Sequence, residues 1–472
     1  MSYRRAKIVC TIGPASSSAE QIDALIASGM DVARLNFSHG THADHRDVIE
    51  RIRAASEERR KAIAILGDLC GPKIRLGVLP PTDQSLEAGA TVTFFSGLEG
   101  EGDRIPVRYE TLAADVRVGD IVRLDDGRVR LRVQEIRGEN VRAIVEEGGQ
   151  IRSNVGVSLP TRHLQIRTIT EKDKEDLMFG LTAGMDYCAV SFVRGPEDLK
   201  LVRDICEAWG RPLPLVAKIE TLEAIERLED ILAATDAVMV ARGDLGVEFP
   251  PEQVPVLQRR VLDSAARYRR PVIIATEMLQ SMVTSTRPTR AEASDVATAI
   301  FDGADATMLS QETASGDHPA LAVQMMARII ESVESSPYYS PRPAPAPPPP
   351  APFPEAIART AVLAAHDVGA RLIVAFTQGG ETARLISQER PMVPLIVFSP
   401  HEGIRRRIGL YWGTLARLMV PIRDTDEMVD QVQQHLLASG LVSHGDKIVV
   451  VYGAPISVRG RTNTVRVHQV TS

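Results

Sequence analysis

Residues 27–38 read ASGMDVARLNFS, and the arrangement returns as TAGMDYCAVSFV at 182–193, AATDAVMVARGD at 233–244 and DGADATMLSQE at 302–312. In each, a helical pattern stops, an Asp follows, and a short apolar strand begins. Three of the stops carry Gly29, Gly184 or Gly303, the residue type that closes a helix in the left-handed conformation without a Cβ clash. A recurring helix–stop–strand unit marks βα architecture. KIVCTIG, AIAILGD, PLVAKIE and PVIIATE supply further apolar runs. Eight strands are therefore expected near residues 7–12, 32–37, 63–68, 187–192, 214–219, 237–242, 272–277 and 306–310. Most are continuous apolar runs, as parallel strands covered on both faces should be. Amphipathic patterns such as SAEQIDALIASG separate them. The fold class expected is α/β, with a (β/α)₈ barrel at its centre.

One connection is too long for a barrel loop. Residues 73–166 contain LEAGATVTFF, GDIVRLDDGRVRLRVQEI and NVRAIVEEGG, rich in Val, Thr and Gly-Asp turns. They are expected to form an inserted small β-barrel domain, a lid over the mouth of a catalytic barrel made from 1–72 and 167–336. Residues 337–354, PYYSPRPAPAPPPPAPFP, read as a stiff Pro-rich linker. After it, RLIVAF, PLIVFS and DKIVVVYG alternate with helical patterns, so 355–472 is expected to be an open α/β domain.

The chain has 472 residues, 44% hydrophobic and 25% charged, which is ordinary globular composition for several domains. A net charge of −6 gives no reason to expect nucleic acid. Cys10, Cys70, Cys188 and Cys206 show no paired spacing, which fits reduced thiols in a cytoplasmic protein. The apolar run near the N-terminus is too short for a signal peptide, and no stretch approaches a membrane span.

In such barrels the chemistry sits at the C-terminal strand ends. Those ends carry Arg34, Asn36, Ser38 and His39; Asp68, Lys73 and Arg75; Ser191; Lys218 and Glu220; Arg242 and Asp244; Thr276 and Glu277; Ser310 and Glu312. Any one of them alone reads as a solvated loop residue; charges converging from most of the strands do not. Glu220 and Asp244 are hard oxygen donors from neighbouring strands, a pair suited to Mg²⁺ with open positions for water and substrate. Lys218, two residues before Glu220, points to the same side of its strand. A cation beside a metal fits a phosphoryl group in transfer. ARGDLG offers backbone N–H groups at a helix start, a seat for a carboxylate or phosphate. Thr221 after Glu220 also reads as a helix cap, and His39 as a loop histidine holding a hydrogen bond.

At this point the chain resembles the pyruvate kinase family. The matching stretches are KIVCTIGPAS, ARLNFSHGTH, GPKIR, EKDKEDL, AVSFVR, AKIET, VMVARGDLGVE, ATEMLQSM, RPTRAEASDVATAIFDGADATMLSQETASGDHP and TNTVRVH, in family order and nearly end to end. The resemblance implies phosphoryl transfer from phosphoenolpyruvate to ADP, giving pyruvate and ATP. It implies Mg²⁺ (Mn²⁺ as a substitute) on Glu220 and Asp244. Arg34 holds the phosphate, Lys218 neutralises the phosphoryl group in flight and the enolate oxygen, and Arg75 steadies the group from the other side. Backbone at Gly243 and Asp244, with Thr276, holds the carboxylate. Thr276 through water, or Ser310, protonates the enolate. The nucleotide lies near Arg34, Asn36, His39 and Arg75. A homotetramer in the cytoplasm is implied, with neither nucleic acid nor membrane as partner.

The departures from the family pattern are local. In SNVGVSLPTR, Val155 replaces the usual lysine and Ser158 an asparagine, which weakens the expectation of lid contacts to the nucleotide, while Asp126 keeps the acidic lid turn. Glu277 and Gln311 replace a common Gln and Gly without removing a metal or phosphate ligand. Many members bind K⁺ through positions equivalent to Asn36, Ser38, Asp68 and Leu69, the last a Thr there, with a Glu where Lys73 stands. Here the ammonium of Lys73 is expected to replace the ion, so K⁺ is not required. In TQGGETARLIS, residues 377–387, Thr377, Gly380 and Thr382 resemble the family's effector turn, with Arg459 from the loop GAPISVRGRTN. Gln378 and Glu381 stand where bisphosphate-activated members carry cations, which points to a sugar or nucleotide monophosphate as effector. Two other readings are a Mg²⁺-dependent barrel lyase or aldolase acting on pyruvate-like substrates, and a non-catalytic regulatory protein. The inserted lid and Lys218 speak against the lyase. Retention of both carboxylates and the lysine speaks against the regulator.

Overall fold

A computed structural model of the chain describes residues 3–79, 84–100, 104–125, 127–159, 168–420, 424–454 and 462–471. Eight parallel strands close into a barrel: β1 (Lys7–Ile12), β2 (Val32–Asn36), β3 (Ala64–Asp68), β4 (Tyr187–Val190), β5 (Leu215–Ile219), β6 (Ala237–Ala241), β7 (Val272–Ala275) and β8 (Ala306–Leu309). All eight expected strands form, each within about two residues of its expected bounds. Gly29 (φ 127°) and Gly184 (φ 85°) close their helices, as the repeat requires. Ser18, Thr41, Thr170, Thr221 and Thr289 cap the starts of helices with side-chain acceptors.

Side chains alternate along each strand, so every second residue faces the barrel interior. The apolar inner layers are Val9, Val32, Leu66, Tyr187, Val216, Met239, Ile273 and Met308, with their neighbours. Two residues further along the same inward series stand Thr11, Arg34, Asp68, Lys218 and Ser310, with Ser191 two residues beyond Ala189. The barrel is thus a packed core with a polar cap at its C-terminal mouth.

The insertion forms a six-stranded sheet in the order 157–158, 121–124, 129–137, 140–147, 91–96 and 104–107, with a two-stranded ladder between 84–86 and 149–151. The segment entering the insertion joins the edges of that sheet: Arg75 bridges Gly156 and Leu76 bridges Val107. This closes the small barrel around Phe94, Val122, Leu131 and Val141.

The C-terminal region folds as a five-stranded sheet of β9 (Leu372–Phe376), β10 (Leu395–Ser399), β11 (Thr414–Leu418), β12 (Lys447–Tyr452) and β13 (Thr464–Gln469), with β13 antiparallel at one edge. It packs beneath the barrel, at the end away from the polar cap. Leu410 belongs to the barrel's inner cluster, and Lys7 Nζ donates to Thr414 O at 2.8 Å. Among the described residues no helix is long and apolar enough to cross a membrane.

Candidate active site

A buried ionic cluster occupies the barrel mouth. Lys218 Nζ donates to Ser191 Oγ at 2.7 Å and lies 3.4 Å from Glu220 Oε2 and 3.7 Å from Asp68 Oδ1. Ser191 Oγ in turn donates to Leu69 O at 2.7 Å. Arg34 reaches the same cluster, with Nε 2.7 Å from Asp68 Oδ2 and Nη1 2.9 Å from Thr11 Oγ1. Burial alone favours loss of the Lys218 proton. Asp68, Glu220 and Asp244 more than offset that and raise its pKa, so the lysine stays charged. Burial likewise opposes ionisation of Asp68, but Lys218 and Arg34 hold its carboxyl below the usual range. Glu220 behaves differently: burial pushes it up to about 7, with Lys218 opposing and Asp244 adding to the rise.

Those carboxylates can be tested for a divalent cation. Glu220 Oε1 accepts from Phe192 N at 2.6 Å, whereas Oε2 is buried without a hydrogen bond. Asp244 is exposed on the helix Arg242–Glu248, at the foot of the cleft. Among the described residues no group of three or more His, Cys, Asp or Glu side chains is placed to hold a metal. The donor set is therefore two carboxylates, one with an oxygen that meets the Lys218 charge but no hydrogen bond and one exposed, beside a lysine. That set fits Mg²⁺, which keeps several waters and takes substrate oxygens as further ligands.

Thr276 sits at φ 69° and Glu277 at φ 55°, both left-handed. For a β-branched residue this costs on the order of 1–3 kcal/mol, and such strain clusters at functional sites. The turn aims Thr276 Oγ1 at Gly243 N, which donates to it at 2.8 Å. Ser310 Oγ, at the end of β8, is buried without a hydrogen-bond partner.

A cavity of about 630 Å³ opens between the inserted domain and the barrel, its wall including Lys73, Arg75, Asn154, Glu220 and Asp244. Arg75 Nη1 donates to Asn154 O at 2.8 Å. Lys73 is exposed, and its Nζ donates to Ser38 Oγ at 3.1 Å. Asn36 Oδ1 accepts from Ser38 N at 3.1 Å, which orders the same rim. The Leu69 side chain lies in the core between barrel and helices, so the site sees its carbonyl. His39 is exposed, and its carbonyl faces His45 Nε2 at 2.9 Å. Partial burial and then the charges of Lys73, Arg75 and Arg34 lower the His39 pKa.

The structure thus brings Arg34, Asp68, Lys218 and Glu220 into one cluster, Gly243 and Thr276 into contact, and Lys73 onto Ser38. It holds Thr377, Gly380 and Thr382 apart from these, in the C-terminal region. There Gly380 N donates to Thr377 Oγ1 at 2.8 Å, and Thr382 Oγ1 lies 2.5 Å from Thr462 Oγ1. Arg459 and Asp126 lie outside the described residues. Sequence reasoning missed the Lys218–Ser191–Leu69 chain and the Arg34–Asp68 pair. The inward period of two carries these side chains to one face of the barrel but does not say which of them pair. It also missed Arg123, a lid residue in the cavity wall.

Comparison with known proteins follows this geometry. A family model described as pyruvate kinase, barrel domain, matches residues 3–323, and one described as pyruvate kinase, alpha/beta domain, matches 355–468. The chain is 45% identical over 472 residues to a pyruvate kinase of Mycobacterium intracellulare, covering 99% of this chain and 98% of that protein. It is 45% identical over 466 residues to one of Corynebacterium glutamicum, covering 98% and 97%. A crystal structure of a pyruvate kinase from Cryptosporidium parvum superposes with a TM-score of 0.92 at 34% identity, covering 99% of this chain and 96% of that one.

Proposed function

The chain belongs to the pyruvate kinase family, and on that premise we propose that its barrel mouth moves the phosphoryl group of phosphoenolpyruvate to ADP, yielding pyruvate and ATP. One observation carries the reading of the site: a charged, buried lysine, Lys218, held by Ser191 between Asp68 and Glu220. Little covalent chemistry falls to the protein in phosphoryl transfer, so positioning and fixed charge do most of the work. Lys218 meets the negative charge that develops on the phosphoryl and enolate oxygens, in a site where burial strengthens the interaction. Arg34, fixed by Asp68 and Thr11, binds the substrate phosphate, and Arg75 steadies the same group from the lid side. Gly243 and Asp244 backbone N–H groups, with the Thr276 hydroxyl, seat the carboxylate.

Glu220 and Asp244 are the residues that would hold Mg²⁺, or Mn²⁺ in its place. The cation supplies positive charge to the oxygens of the transferring group. Protonation of the enolate falls to Thr276 through a water, or to Ser310, whose hydroxyl is buried and unengaged. The cleft under the inserted domain takes ADP, along Asn36, His39 and Arg75. Lys73 fills the role of a monovalent ion at a site whose remnant is Asn36, Ser38, Asp68 and the Leu69 carbonyl, so K⁺ is not required. The turn at Thr377, Gly380 and Thr382 takes a sugar or nucleotide monophosphate as effector. The enzyme acts in the cytoplasm as a homotetramer.

A barrel lyase would leave the cavity between lid and barrel without a nucleotide to hold. Pyruvate release from phosphoenolpyruvate, measured with and without ADP, separates the two. Pyruvate formed only with ADP supports the kinase. Pyruvate formed equally without ADP, with inorganic phosphate released to water, contradicts the kinase.

A further inference from the structure

Among the described non-glycine residues with positive φ, Thr276 is the only β-branched one, and Glu277 continues the same left-handed turn. A conformation of this kind persists only where its surroundings over-determine it. The group that holds it is Arg242, the first residue after β6. Its Nη2 donates to Thr276 O at 2.7 Å and its Nε to Ala275 O at 3.3 Å. Its Nη1 is fixed by Asp295 Oδ1 at 2.7 Å, from the helix Arg290–Phe301. The Arg242 side chain is only 13% exposed. A planar guanidinium with donors in a fixed fork suits two successive carbonyls and a carboxylate; a lysine ammonium does not.

The second carbonyl contact has a chemical use. Thr276 Oγ1 donates its own hydrogen to Ala275 O at 2.6 Å while accepting from Gly243 N. To serve a substrate oxygen, that hydroxyl must turn its hydrogen away from Ala275. Leaving the Ala275 carbonyl without a donor would carry a penalty. Arg242 Nε is already on that carbonyl and keeps it paired when the hydroxyl turns.

We infer that Arg242 is a positioning residue for the reaction: it pins the left-handed Thr276–Glu277 turn and frees the Thr276 hydroxyl to serve the substrate. The inference rests on the reading of Thr276 as a substrate-side group. Its test is a double-mutant cycle with Arg242→Gln and Thr276→Ala, reading kcat and KM for phosphoenolpyruvate separately, with thermal stability recorded for each variant. Expected is a tenfold or larger loss of kcat/KM for Arg242→Gln in the parent, shrinking to twofold or less in the Thr276→Ala background. Arg242→Lys, which keeps the charge and reaches one carbonyl, should recover only part of the loss. Should Arg242→Gln fail to fold, Arg242→Lys runs the same cycle.

Equal losses in both backgrounds, or no loss in the parent, would overturn the inference while leaving the site reading intact. Wild-type kinetics for Thr276→Ala alone would overturn the reading of Thr276 itself, and the inference with it.

Discussion

Lys73 Nζ donates to Ser38 Oγ at 3.1 Å, so an ammonium carried by the loop after β3 rests on the rim of β2. Its charge also contributes to the depressed pKa of Asp68. A compact charge on a flexible stem can deliver the field of a bound cation without the cation. Turnover in tetramethylammonium buffer, free of K⁺ and NH₄⁺ at constant ionic strength, is therefore expected to match turnover with K⁺. A tenfold rise on adding K⁺, about 1.4 kcal/mol in the barrier, would contradict this. Lys73→Glu is expected to lower K⁺-free activity sharply, with only partial recovery in K⁺.

Glu220 and Asp244 face one another's charge beside Lys218. Glu220→Gln removes half of the proposed donor set while keeping the shape of the side chain. Binding of Mn²⁺ to the substrate-free protein, followed by electron paramagnetic resonance, should weaken at least ~10-fold, or about 1.4 kcal/mol. Unchanged Mn²⁺ affinity would place the metal elsewhere.

The barrel strands were legible because covered parallel strands have their own composition, and the glycine stops set their phase. The polar strand ends were legible for the same reason, since β-alternation carries Lys218 and Glu220 to one face. Pairings across strands were not. Arg34 finds Asp68, and Lys218 finds Ser191, only through barrel register. The left-handed turn at Thr276 was hidden because a β-branched residue argues against such a conformation. Closure of the inserted barrel through Arg75 and Leu76 depends on isolated bridges that leave no periodic signal. Docking of Leu410 against the barrel core was equally invisible, since one leucine in a short helical turn reads as ordinary packing.

Lys7 gives a pH test of the contact between barrel and C-terminal sheet. Burial pulls its pKa from 10.5 down to about 8, against the help of Asp31. Between those values the unfolded chain holds more protons than the folded one, so the Lys7 contribution to stability rises with pH through that window. Below it, the buried charge is a cost. Denaturant unfolding of Lys7→Met and parent at pH 7 and pH 10 should show the variant's relative stability falling by about 2 kcal/mol over that rise. A pH-independent difference between the two would contradict the assigned cause.

In the C-terminal region the buried hydroxyls of Thr382 and Thr462 meet beside the turn at Gly380. Glu381 is exposed at the start of the same helix, and on the proposed effector reading its carboxylate opposes a second phosphate. Fructose 1,6-bisphosphate is therefore expected to activate weakly or not at all. A sugar or nucleotide monophosphate should activate, and Thr382→Ala should abolish that response. Micromolar activation by the bisphosphate, lost in Thr382→Ala, would reverse this reading.

Lys218 is the most direct point at which to test phosphoryl transfer. The measurement is ATP and pyruvate formed together from phosphoenolpyruvate and ADP with Mg²⁺, in the parent and in Lys218→Met. The parent should form the two products one to one. Removing one preorganised donor of this kind typically costs ~2.7–4 kcal/mol, so kcat should fall by about 10²–10³ in the variant. Near-parental turnover by a folded Lys218→Met protein would contradict the mechanism.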